Sequence, residues 1–186
     1  MFVDIDFPQI RGDGFLDTIK LIFSPKLRGA KQEALKQQTI ASVERWWQQN
    51  LNFSFRLYLT PEGLRLLFTD QLYDPTSEET SKLFQQLGAD PLYVRLTENQ
   101  NGFRARLTPK PWRCDFKKPP NTYPWDDTQA EQRYRDWQQQ YSKATTNFRA
   151  CKLHQAYGEP AEIDSIQSIV RYHDHQAKIA DNVPLA

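Results

Sequence analysis

Residues 53–68 carry the clearest alternation in the chain. Phe53, Phe55, Leu57 and Leu59 alternate with Ser54, Arg56, Tyr58 and Thr60, and Leu64, Leu66 and Phe68 resume the pattern after Pro61-Glu62-Gly63. Successive side chains of a strand point to opposite faces, so this pattern predicts a β-hairpin with one apolar and one polar face. Leu92, Val94 and Leu96, then "ENQNG", then Phe103, Ala105 and Leu107 predict a second hairpin, ended by the prolines of "TPKPWR". Residues 2–7 (FVDIDF) alternate as a short N-terminal strand, closed by Pro8 and the "RGDG" turn. Residues 15–23 fit strand or helix equally.

Helical periods lie between these runs. Leu35, Ile40, Val43 and Trp47 mark an amphipathic helix over about 30–50. The segment after Asp74 has Thr76 or Ser77 as N-cap, acids in its first turn and Gly88 at its end. After an extended loop (114–127), capped by Asp126 or Asp127, a long helix is predicted over about 128–156. Its stripe of Tyr134, Trp137, Tyr141 and Phe148 reads as a core face. A last helix over about 162–180 carries Ile163, Ile166 and Val170. The expected architecture is α+β. A mostly antiparallel sheet of two hairpins plus the N-terminal strand forms residues 1–127, with helices on one face, and a C-terminal helical pair (128–186) packs on it as part of a single unit.

Composition narrows the function classes without choosing one. The 186 residues carry a net charge of +1, which gives no global pull toward nucleic acid or an acidic membrane. The N-terminus does not read as a signal peptide, and no apolar run approaches the ~20 residues that span a bilayer. Cys114 and Cys151 fit no metal-ligand spacing, so reduced thiols in a cytoplasmic protein are expected. The pair His173 and His175 lies two apart on a predicted helix, on different faces, and reads as surface rather than as a ligand pair.

Charge becomes informative when read by face. Alternation places Arg56, Arg65, Arg95, Arg104 and Arg106 opposite the apolar core, and Asp4 and Asp6 on the polar side of the first strand. Two readings stand. Acids and bases pair off on a wet sheet face, or they form a site where arginines bind phosphate and Asp4 and Asp6 hold a divalent ion. Lys110, Trp112, Arg113, Lys117 and Lys118 interleave cations with aromatics in the following loop. That composition suits contact with single-stranded nucleic acid or another partner, or simply a loop clamped to the domain by its aromatic rings.

"FVDIDF", "RLYLTPEGLRLLFT" and "GADPLYVRLTENQNGFRARLTPKPW" together resemble the archaeo-eukaryotic primase-polymerase superfamily over roughly residues 2–110. The resemblance implies a nucleotide- or nucleic-acid-binding core, with Asp4, Asp6 and Asp90 as catalytic acids and Mg or Mn as cofactor. If active, such a core is a metal-dependent nucleotidyltransferase. Arg65 stands where the family carries a histidine, and Asp90, next to Pro91, reads equally as a turn or cap residue. The "FRARLTPKPWR" stretch is also similar to bacterial proteins of unknown function. The alternative function is a non-enzymatic protein-interaction module.

Overall fold

The computed structural model describes residues 1–10 and 23–186. The RGDG turn and most of the ambiguous run 15–23 lie outside the described residues. Strand β1 (Phe2–Asp6) is followed by helix α1 (Pro25–Gln48), then by β2 (Phe55–Leu59) and β3 (Gly63–Phe68). Helices α2 (Glu78–Leu87), α3 (Pro91–Gln100) and α4 (Thr128–Ala144) come next, then β4 (Lys152–Tyr157) and α5 (Asp164–Gln176). The strands form one antiparallel sheet in the order β1-β3-β2-β4. The fold is α+β, as the alternating and helical periods predict.

The apolar side of the hairpin nucleates the main core. Val3, Ile5, Phe55, Leu57, Leu64, Leu66 and Phe68 pack with Ile40 and Val43 of α1, Phe84 and Leu87 of α2, and Tyr93 of α3. Burying a side chain of this size contributes ~1.5–3 kcal/mol, so this one face supplies much of the driving force. The tandem tryptophans both border this core, Trp46 donating to Gln86 and Trp47 to the Phe53 carbonyl. The short helix is bounded as predicted, by the Ser77 side chain at its start and by left-handed Gly88 at its end.

The second hairpin does not form. Residues 91–100 are α3, and residues 103–110 form a loop that belongs to no strand. Asp90 caps α3 through the Leu92 and Tyr93 amides, Pro91 takes the first turn, and Asn101 ends it at φ 46°. A capping aspartate with proline in the first turn favours helix strongly enough to override a three-residue alternation. Arg95 therefore sits exposed on a helix, and Arg104 and Arg106 on a loop.

Two further expectations change. The long helix stops at Ala144, and residues 152–157 add a fourth strand beside β2, so the C-terminal segment is not a helical pair. The second sheet face is also covered rather than open. Tyr58, Leu67, Cys151 and Ala177 are buried there beneath α5 and the residues after it, with Phe2, Leu153 and Val170 around them.

Candidate functional site

The polar face of the sheet divides into two regions. Toward Phe2 and Leu67, α5 covers a hydrogen-bonded network. Arg56 donates through Nε to Tyr58 Oη (2.8 Å) and through Nη2 to Asp174 Oδ2 (2.7 Å), while Tyr58 donates to Asp174 Oδ1 (2.7 Å). His173, 1% exposed, sets Nδ1 3.0 Å from the same carboxylate and Nε2 3.9 Å from Cys151 Sγ. Burial alone would raise the Asp174 carboxyl, but the His173 and Tyr58 hydrogen bonds and the Arg56 charge hold it below its ordinary value. His173 is thus an interior residue, not the surface position its spacing suggests. Arg56 is committed to this network.

The other region, around Asp6 and Gly63, is a cleft of about 140 Å³ lined by Asp4, Asp6, Glu62, Arg65, Arg106, Lys110 and Arg113, among others. Pairing of β1 with β3 sets Asp4 opposite Arg65 and Asp6 opposite Gly63. Gly63 is required here, because a Cβ would lie 2.1 Å from the Ile5 carbonyl oxygen. Arg65 is 5% exposed and ties three segments together. It donates to Asp4 Oδ1 (2.9 Å) and Oδ2 (3.2 Å), and through Nη1 to the Arg106 carbonyl (2.7 Å). That last bond draws the 103–113 loop over the cleft.

The cleft's remaining charges are less fully engaged. Glu62 Oε2 lies 3.1 Å from Lys110 Nζ and 2.5 Å from Arg113 Nη2, and these two cations hold its carboxyl below the ordinary value. Asp6 is exposed, and its carboxyl is raised by partial burial and by the charges of Asp90, Glu62 and Asp4. A raised carboxyl next to cations that are already matched marks a place where further positive charge is favoured. Arg106 is exposed and has no carboxylate partner among the described residues.

The structure thus brings Asp4, Asp6, Arg65, Arg106, Lys110 and Arg113 together and leaves the other candidates apart. Arg95 and Arg104 do not line the cleft, and Asp90 spends its carboxylate on the α3 cap while its amide bonds the Asp4 carbonyl (2.9 Å). Lys117 is exposed on the loop, and Trp112 and Lys118 line a neighbouring groove. Glu62, at the hairpin turn, is the residue that sequence pattern passed over. Its signal was its place in a proline–glycine turn one residue before the β3 strand that carries Arg65.

The acids do not fit a resident two-metal centre. Such centres hold two ions ≈ 3.5–4 Å apart with carboxylates free to ligate both. Here Asp4 gives both oxygens to Arg65, and no group of three or more His, Cys, Asp or Glu among the described residues is placed to hold a metal. Among the described residues, no helix is long and apolar enough to cross a membrane. Compared with known families, curated proteins and solved structures, the chain matches no family model and shows no significant similarity to a curated protein or a solved structure.

Proposed function

We propose that this protein binds a phosphate-bearing ligand of the nucleotide class in the Asp4–Arg113 cleft. The carrying observation is convergence: Arg65, Arg106, Lys110 and Arg113, from a strand and a loop some 40 residues on, meet Asp6 in one concave site. Guanidinium groups grip phosphate with paired hydrogen bonds, and a lysine adds a mobile point charge. Asp4 holds Arg65 in place, leaving Arg106 as the contact without a carboxylate partner among the described residues, with Lys110 and Arg113 sharing their charge between Glu62 and the phosphate. A divalent ion enters this reading only in company with the phosphates, since Mg²⁺ is held by one or two carboxylates plus substrate oxygens; Asp6 is the carboxylate free for it. The resemblance to primase-polymerases agrees with this ligand class, and nucleotidyl transfer is not part of the reading. A flat face of paired charges, as expected of an interaction module, accounts for Arg56–Asp174 but not for the concave grouping.

The test is a thermal-shift titration with a nucleoside triphosphate, with and without Mn²⁺, on the wild type, Arg106→Ala/Lys110→Ala and Asp6→Asn. Ligand at 100 times its Kd stabilises the folded state by ~2.7 kcal/mol. A shift in the wild type that the cation-deleted variant loses is expected, with Asp6→Asn losing only the Mn²⁺-dependent part. Absence of any shift in the wild type at millimolar ligand overturns the proposal.

A further inference from the structure

The cleft by itself takes only the phosphate end of the proposed ligand. Pockets that enclose a drug-sized molecule measure ≈ 300–1,000 Å³, and this one holds about 140 Å³, enough for phosphate but not for a base and sugar. Two grooves adjoin the cleft: one of about 570 Å³ shares Asp6, Pro61 and Glu62 with it and is lined by no tryptophan or tyrosine, so the aromatic one is the candidate for a base. That groove, of about 490 Å³, shares Arg106 and Thr108 with the cleft and runs on past Trp112 and Lys118 to Trp137 and Tyr141 of α4.

The aromatic rings around that groove do two different things. Phe116 packs on Trp137 and Tyr141, and Trp137 stacks on Tyr141 at 4.8 Å and 9°. Trp137 Nε1 donates to the Lys117 carbonyl (2.9 Å), and Tyr141 donates to the Pro109 carbonyl. These rings clamp the loop to α4. Trp112 takes no part in the clamp: it is 54% exposed, with Lys110 Nζ 5.4 Å and Lys118 Nζ 5.6 Å from its ring. An indole this exposed, with two cations already drawn to its ring, offers π surface to solvent-borne groups. Lys110 lines the cleft and also sits over this ring, so the indole lies one side chain away from the phosphate position.

We infer that Trp112 is a base-stacking subsite, so that the ligand is a nucleobase joined to phosphate, its phosphate in the cleft and its base on the indole. This rests on the phosphate reading of the cleft and extends it. The weak cation–π contact of Lys110 is exchanged for a charge-assisted bond to phosphate, which frees ring area for the base. Stacking of this kind tolerates any base, because every base has a π face. The same chemistry arises from a free mononucleotide or from the end of a single strand.

The experiment compares calorimetric binding of inorganic tripolyphosphate, a nucleoside triphosphate and an eight-nucleotide dT strand to the wild type, Trp112→Ala and Trp112→Phe. Stacking predicts that the nucleoside triphosphate binds the wild type at least about 5-fold more tightly than tripolyphosphate, with the advantage lost in Trp112→Ala and kept in Trp112→Phe. The dT strand binding more tightly than the monomer, again through Trp112, identifies a strand end as the source; the reverse identifies the mononucleotide. Equal affinity for tripolyphosphate and the triphosphate overturns the stacking subsite and leaves the phosphate cleft standing. Failure of both to bind overturns the cleft reading, and the subsite with it.

Discussion

The Asp4–Arg65 pair separates two views of the cleft by the sign of one measurement. If Asp4 were held ready as a metal ligand, it would crowd Asp6 and Asp90 with like charge, and Asp4→Asn would stabilise the metal-free protein. As placed, Asp4 instead neutralises a guanidinium that retains 6% of its side-chain exposure. Removing one partner of a fully buried pair costs ~3–5 kcal/mol, because the other charge stays desolvated. Asp4 keeps 30% of its side-chain surface in water, so the expected loss for Asp4→Asn is reduced to about 2–3 kcal/mol. With an m-value of about 2–3 kcal/mol/M, the urea midpoint falls by about 1 M. Arg65→Met gives a loss of similar size, since it also removes the bond to the Arg106 carbonyl. The double variant Asp4→Asn/Arg65→Met should lose less than the sum of the two single losses, by a coupling of at least about 1.5 kcal/mol. A midpoint that rises in Asp4→Asn, or a coupling below about 0.5 kcal/mol, refutes this account and returns Asp4 to the list of ligand-ready carboxylates.

Three other measurements bear on the fold around the site. Gly63→Ala should lose about 2–3 kcal/mol in urea, since its Cβ meets β1 backbone; Gly29→Ala, with nothing within 4 Å and a position inside α1, should gain about 0.5–1 kcal/mol. The lowered carboxyl of Asp174 contributes stability above its unfolded value of about 3.9, lost as pH falls through the folded value, so Tm in Asp174→Asn should respond less to acid. Asp6 acts with the opposite sign, its raised carboxyl opposing the fold as pH rises through the folded value, so Asp6→Asn should raise Tm at neutral pH. With a thiol reagent at neutral pH, Cys114 should react first and Cys151 only on unfolding, because burial pushes the Cys151 thiol up to about 11.

Much of this structure is written locally. The 55–68 hairpin, the α2 caps and the Asp127 cap of α4 are short-range signals, the caps satisfied within four residues and the hairpin within one tight turn, from Leu59↔Leu64 out to Phe55↔Phe68. The α3 helix was written locally too, but in two competing scripts. Leu92, Val94 and Leu96 suggest alternation, while Asp90, Pro91 and the buried pair Tyr93 and Thr97, four apart, spell a helix. Caps fix backbone hydrogen bonds that a strand would have to find elsewhere, and they prevail. β4 left almost no trace, because an edge strand with most of its side chains in water shows little alternation. Of the site, Asp4, Asp6 and Arg65 were readable once the strands were read. Arg106, Lys110 and Arg113 were named from sequence as a hairpin arginine and loop cations, but what joins them to Asp4 and Asp6 is the Arg65 bond to the Arg106 carbonyl and the Glu62 ion pairs, which no residue pattern announces.

The late position of β4 has a consequence for how the chain is made. β2 ends at Leu59, and its outer partner begins only at Lys152. At ~5–20 residues per second, a ribosome needs roughly 5–20 s to cover that distance. Throughout that interval the nascent hairpin carries an open backbone edge along Phe55–Leu59, one of the most apolar stretches of the sheet. Chaperone capture, or pairing with a neighbouring nascent chain on the same message, competes for that edge until β4 arrives.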